Sequence, residues 1–125
     1  MFFACSEEHK NDIAAAKAAK EYYDSLLAGN YAYFVRGMYL ADTIPDGYRE
    51  ELEASAKMFV ERVKEEHHGI REVRIMNCVN DTIHIEKTDK SVHASEAFLV
   101  FCFGDSLNEE VVVPMVFHKN RWLMR

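Results

Sequence analysis

The hydrophobic pattern of this chain changes once, from a helical repeat in the first half to a strand repeat in the second. Up to about His68, apolar residues recur every three or four positions, as on one face of an amphipathic helix. From Ile70 onwards, apolar and polar residues alternate, as in strands with one buried face. Helices followed by closely spaced strands predict an α+β domain in which the helices cover one face of an antiparallel sheet.

Three helices are predicted in the first half of the chain, over residues 12–28, 31–40 and 45–68. The first ends at Gly29 and the third at Gly69, because glycine readily takes the left-handed backbone that follows a helix. Residues 1–11 are predicted to be a tail, so that a single domain covers residues 12–125.

Strand patterns occupy much of the second half, over residues 73–79, 83–85, 97–103, 111–117 and 121–124. Asn80-Asp81 is predicted to break the chain between the first two of these ranges. The turns between the patterns are short, which favours antiparallel neighbours. We therefore expect a curved antiparallel sheet of about four strands.

Composition excludes several classes of function. The chain has 125 residues and a formal net charge of −6, so its surface repels nucleic acid, and we predict no nucleic-acid partner. No apolar run approaches the roughly 18 residues that span a bilayer. There is no glycine-rich phosphate loop and no nucleophile elbow, and nothing in the sequence predicts a cofactor.

The three cysteines differ in their surroundings. Cys5 follows Phe2-Phe3-Ala4, and this arrangement resembles the end of a bacterial lipoprotein signal, in which the thiol is acylated. Residues 1–11 would then be a tether to the membrane of the cell envelope. Without lipid, the chain would be cytoplasmic. Cys78 and Cys102 lie in predicted strands, and their pairing is left open.

Two segments carry a resemblance to a known family. One is the helix end at Ala18–Tyr31, which closes on Gly29-Asn30-Tyr31, and the other is the C-terminal pair Val112–Val116 and Arg121–Met124. The chain resembles the cystatin-like fold of the nuclear transport factor 2 superfamily, and more narrowly a family of small bacterial lipoproteins of unknown function. The resemblance implies a cone of three helices on a curved sheet. The superfamily includes enzymes such as ketosteroid isomerase as well as binding modules, so the fold does not decide the function.

Aromatic side chains are the candidates for a ligand pocket between the third helix and the sheet. They recur at helical or strand spacing, which is also the pattern of a packed core, and we expect the core to be filled or nearly so. The candidates are Tyr23, Tyr31, Phe34, Tyr39, Phe59, Phe98, Phe101 and Trp122.

Few residues suggest chemistry. Glu96 is the single acid in an apolar strand, and burial beside a cavity would make it a candidate general base. His67 and His68 are explained by the negative end of the third helix. His84, Glu86 and His93 lack a metal-binding spacing, so no metal site is predicted.

Three hypotheses of function follow. The first is a non-enzymatic envelope lipoprotein module that binds a small apolar ligand or a protein partner. The second is an isomerase- or cyclase-type enzyme that uses a buried strand carboxylate such as Glu96. The third is a structural domain that forms a homodimer through its sheet, since sheet faces in this fold often pair. Burial of Glu96 beside an open cavity would separate the first two hypotheses.

Overall fold

Three helices precede four strands in the structure, a computed structural model. It describes residues 2–40, 44–85 and 90–125, with side chains at residues 13–40, 44–81 and 93–125. The elements are α1 Phe2–Leu27, α2 Tyr31–Arg36, α3 Tyr48–His67, β1 Ile70–Ile85, β2 Lys90–Phe103, β3 Asn108–His118 and β4 Arg121–Met124. The strands form one antiparallel sheet in the order β1-β2-β3-β4. The predicted α+β class is confirmed.

Helix α1 is longer than its pattern predicts. It begins at Phe2 rather than near Asp12, so the backbone of residues 2–11 is helical. No glycine or proline precedes Gly29, and extending a helix that has already formed costs little. The helix ends as predicted, with Gly29 in the left-handed region at φ 91°.

Helix α3 begins later than predicted, at Tyr48 rather than near Pro45. Gly47, at φ 83°, takes a left-handed backbone that a helix cannot continue through. The helix ends at His67, and His68 and Gly69 follow with φ values of 61° and 85°.

Strand β1 runs through the predicted break. Asn80 pairs with Ser95 and Asp81 with Ala94, in an unbroken register. Pairing with a long neighbouring strand outweighs the weak strand preference of Asn and Asp. Register shifts at Ile70/Glu72 and Ile75/Asn77 mark β-bulges, which bend the sheet around the helices.

The core lies between the helices and one face of the sheet, here termed the inner face. Its strand residues include Val73, Ile75, Cys78, Ala97, Leu99, Phe101, Phe103, Val111, Val113 and Met115. Three alanines of α1, Ala15, Ala16 and Ala19, are completely buried. The Tyr22 hydroxyl donates to the Trp122 carbonyl oxygen (2.7 Å), which joins α1 to β4.

Cys78 and Cys102 are buried free thiols on opposite faces of the sheet. Cys78 pairs with Ala97 and packs in the core under α1, whereas Cys102 pairs with Glu72 and faces the other way. The two side chains therefore cannot form a disulfide in this fold. Of the described helices, none has the length and apolarity to cross a membrane.

Candidate ligand-binding cavity

A cavity of about 340 Å³ lies between the second half of α3 and the inner face of the sheet. It is lined by Tyr23, Phe59, Arg62, Val63, Glu66, His67, Phe101, Phe103, Glu109 and Val111. The expected filled core is therefore interrupted here. Valines and charged side chains line much of this space, and the charged groups stay near water instead of filling it.

Helix α3 supplies half of the lining through a single stripe. Positions 59, 62, 63, 66 and 67 follow the spacing i, i+3, i+4, i+7 and i+8, which places them on one helical face. Phe59 and Val63 form the inner part of the stripe, while Arg62 and Glu66 are exposed at the rim. The helix therefore presents an apolar wall with charges at its edge.

The sheet and α1 supply an aromatic floor. Phe101 and Phe103 lie two residues apart on the inner face of β2, and both are buried. The Tyr23 ring contacts Phe101 and Phe34, with centroids 5.1 and 5.2 Å away. Burial raises the pKa of Tyr23 above its ordinary value of 10.0, so its phenol stays protonated and can donate a hydrogen bond.

An imidazole–carboxylate pair lies at the end of the cavity where α3 meets the β2–β3 turn. His67 Nδ1 is 2.8 Å from Asp105 Oδ2, and the Asp105 amide donates to the His67 carbonyl oxygen (3.0 Å). The other carboxylate oxygen, Asp105 Oδ1, accepts from the Leu107 amide (3.1 Å). The hydrogen bond with His67 is the main cause that lowers the pKa of Asp105 below its ordinary value of 3.8.

Close packing of the backbone holds this corner together. The His67 ring stacks on Phe103 with centroids 4.2 Å apart and planes 15° from parallel. The Gly104 amide donates to the Gly69 carbonyl oxygen (2.9 Å). A Cβ atom at Gly104 would collide with the carbonyl oxygen of His68, so only glycine fits where the β2–β3 turn passes the end of α3.

The structure brings some of the predicted pocket residues to the cavity and not others. Tyr23, Phe59 and Phe101 line it. Phe34 is buried behind Tyr23, and Tyr31 and Trp122 pack at the edge of the core. Phe98 lies on the outer face of the sheet, paired with Val112, because it is an odd number of residues away from Leu99 and Phe101, which face inwards. Tyr39 is exposed beside His118.

Glu96 lies away from the cavity. It is exposed on the outer face, paired with Val79 and Pro114. The burial on which a general-base role depends is therefore missing at this position. The side chains of His84 and Glu86 lie outside the described residues. Within the described part of the chain, no three metal-ligating side chains come together.

Sequence reasoning missed the charged and imidazole side chains that line the cavity, which are Arg62, Glu66, His67 and Glu109, and also Asp105, the partner of His67. A signal existed for α3, because Arg62, Glu66 and His67 share the helical face of Phe59. A signal also existed for Glu109, which keeps the inner-face alternation of Val111 and Val113. None existed for the pairing of His67 with Asp105, which are 38 residues apart.

Comparison with known proteins identifies the fold. A Campylobacter jejuni structure, described as an NTF2-like transpeptidase, matches with a TM-score of 0.59 and 14% sequence identity, over 85% of this chain and 92% of that one. No protein-family model and no curated protein matches this sequence. Likeness at this level of identity shows the fold alone. The chain therefore has the nuclear transport factor 2-like α+β fold, with three helices on an open four-stranded antiparallel sheet.

Proposed function

We propose that this domain is a binding module of the cell envelope that holds a small, mainly apolar molecule in the cavity between α3 and the sheet. The observation that carries the proposal is the 340 Å³ cavity with its aromatic floor. Ligand sites in proteins are concave and largely apolar, with a few polar groups that orient the ligand. This volume is near the lower end for such sites, which favours a ligand of one or two rings.

The charges at the rim support a ligand with a polar end. Arg62, Glu66 and Glu109 all line the cavity, and none of their side chains has a hydrogen bond or ion pair to another described residue. Their charged groups are therefore available to a bound molecule. The apolar body of the ligand would lie against Phe101 and Phe103, and its polar end would face this rim.

Two valines on one strand provide a matched test with indole as the probe. Val111 lines the cavity, and its neighbour Val112 is 48% exposed on the outer face. We expect Val111→Phe to fill the cavity and weaken indole binding at least about tenfold, a change of roughly 1.4 kcal/mol. Val112→Phe should leave binding unchanged. NMR titration of the backbone amides measures both; equal affinities in the two variants would refute binding in this cavity.

Attachment to the envelope is proposed to depend on Cys5. The support is the short segment Phe2-Phe3-Ala4-Cys5-Ser6, which resembles a lipoprotein processing site. In a bacterial host, the wild-type protein should incorporate labelled palmitate and sediment with membranes, and Cys5→Ala should abolish both. Cys102→Ala, at a buried cysteine, is the control. Unchanged fractionation of Cys5→Ala would exclude this anchor.

Self-association is a second candidate function, favoured by the outer face of the sheet. Val79 and Val112 are about half exposed there; Val112 is paired with the partly buried Phe98, and Val79 is paired with Glu96, two residues from Phe98. Arg74 and Glu110 lie on opposite sides of Val100 in one cross-strand row. A two-fold axis along β2 would place Arg74 of each copy opposite Glu110 of the other, which complements both charge and apolar surface.

Charge reversal tests this dimer. Arg74→Glu and Glu110→Arg should each weaken the dimer, and the double variant should restore it, because the two charges exchange places across the axis. Sedimentation equilibrium measures the dissociation constant. A wild-type protein that stays monomeric at high concentration would exclude this interface.

A further inference from the structure

The imidazole of His67 is held by two side chains and has one free nitrogen. Asp105 binds Nδ1, the Phe103 ring covers one face, and the main chain of the β2–β3 turn is bonded to the His67 carbonyl. His67 also lines the cavity, and its Nε2 has no hydrogen-bond partner among the described residues. A ring oriented by two side chains, with one nitrogen unused, has the features of a residue that acts on a molecule bound in the adjacent cavity.

We propose that His67 is a general base that takes a proton from a small molecule bound in this cavity, and that Asp105 is the positioning residue that directs it. The proposal rests on the binding function proposed above. In the neutral ring, the hydrogen bond to Asp105 keeps the proton on Nδ1, so the lone pair is on Nε2. The same carboxylate stabilises the imidazolium that forms after proton transfer.

The lining of the cavity favours proton transfer. None of its described lining residues is a serine, threonine or cysteine, and their one hydroxyl is the Tyr23 phenol, whose pKa is raised by burial and which therefore stays protonated. Apolar walls from Phe101 and Phe103 favour a substrate with a ring or short apolar chain and a weakly acidic C–H or O–H group. The base of an enzymatic function would thus be His67 and not the exposed Glu96.

The probe for this base is 5-nitrobenzisoxazole, a bicyclic molecule of about the size of indole. His67 Nε2 would take the proton from its C3 atom. The electron pair of the broken C–H bond completes the nitrile, the N–O bond breaks, and its electrons leave on the oxygen of 2-cyano-4-nitrophenolate. This coloured product is followed directly, and no oxidant, reductant or second substrate is needed.

Two variants and one control separate the roles. We expect His67→Gln to lower the protein-catalysed rate about 100-fold, the size of a typical general-base contribution. His93→Gln changes an exposed histidine that does not line the cavity, and should leave the rate unchanged. Equal rates for wild type and His67→Gln would overturn the proposal.

Asp105→Asn tests positioning by its effect on the pH–rate profile. We expect a lower rate and an acid limb that moves to lower pH, because imidazolium loses the carboxylate that stabilises it. A purely structural role of Asp105 would lower the rate without moving the limb. The other titratable or charged groups around the cavity are Tyr23 on α1, Arg62 and Glu66 on α3, and Glu109 on β3. Each of these groups is changed in turn to Phe or Gln, and the acid limb of the pH–rate profile should not move in any of these variants.

Two further measurements distinguish failure of the base from failure of binding. NMR titration shows whether the probe shifts the amides of Phe101 and Val111; a probe that binds there without turnover overturns the base and leaves the binding function standing. Side-chain ¹⁵N spectra of His67 need no ligand. They should show the neutral tautomer with its proton on Nδ1, and a proton on Nε2 would overturn the proposal even if nothing binds.

Discussion

Helices α1 and α3 both lie on the inner face of the sheet, but one closes against it and the other leaves a cavity. Helix α1 presents Ala15, Ala16 and Ala19, all completely buried, and its backbone can approach the strands closely. The second half of α3 presents Phe59, Arg62 and Glu66 around the cavity. The comparison shows that the size and charge of the facing side chains decide where this fold is solid.

The closed half, which is the part of the core covered by α1, should lose the most stability when a side chain is truncated. Leu99 is completely buried on the inner face of β2, and Leu99→Ala leaves an enclosed void that rigid neighbours cannot fill. We expect a loss of about 2–5 kcal/mol in the free energy of unfolding, measured by urea denaturation. Val112→Ala, at an exposed position of the outer face, is the control. A loss below about 1 kcal/mol for Leu99→Ala would mean that this half is not tightly packed.

The open half, which is the part beside the cavity, should lose less stability even when a larger side chain is truncated. Phe59 lines the cavity and is only partly buried, so Phe59→Ala widens a space that already reaches solvent. We expect a loss of about 1–2 kcal/mol, compared with the 3–5 kcal/mol of a fully buried phenylalanine. The same urea experiment measures it. A loss as large as that of Leu99→Ala would show that Phe59 belongs to the closed core.

The contribution of the His67–Asp105 hydrogen bond to stability should depend on pH. The lowered pKa of Asp105 means that its bond with His67 stabilises the fold above the ordinary value of 3.8, and that this contribution is lost as pH falls through the lowered pKa. His67→Phe keeps the stack on Phe103 and removes the hydrogen bond, so the pKa of Asp105 should rise towards its ordinary value. Carboxyl ¹³C NMR measures it.

The control for this titration is His118→Phe. His118 lies at the far end of β3 from the β2–β3 turn, with its ring against Tyr39, and so the pKa of Asp105 should not change. An Asp105 pKa that stays low in His67→Phe would assign the shift to the Leu107 amide instead.

The smallest effect is expected at a polar position inside the closed half. Ser95 is 2% exposed, and its hydroxyl has no hydrogen-bond partner among the described atoms. Ser95→Ala removes an oxygen that loses its water on folding and gains no partner, so the free energy of unfolding should not fall by more than about 0.5 kcal/mol. Thermal unfolding of the two proteins tests this. A loss above about 1 kcal/mol would reveal a bound water or another partner for the hydroxyl.

Predictions from sequence succeeded where short-range patterns control the structure. The three helices, the antiparallel strands and the helix stop at Gly29 follow from periodicity and backbone preference within a few residues. They failed where pairing or propagation outweighs local preference. The start of α1 at Phe2 and the passage of β1 through Asn80-Asp81 are both of this kind.

Prediction of the candidate site likewise succeeded for some residues and failed for others. Tyr23, Phe59 and Phe101 could be proposed because aromatic residues at helix and strand spacing face the core. Placing Phe98 and Glu96 required the register of β2, since a shift of one residue moves a side chain to the other face. Their position on the outer face follows from that register.

By itself, the sequence determined the class of the fold, the order of helices and strands and the apolar faces that meet in the core, because these depend on repeats of two and of 3.6 residues. Tertiary structure alone decided that the space beside α3 stays open and that His67 meets Asp105 there. The reason is physical: both features depend on where the end of α3 lies against the β2–β3 turn, and no periodicity along the chain encodes a contact between residues so far apart.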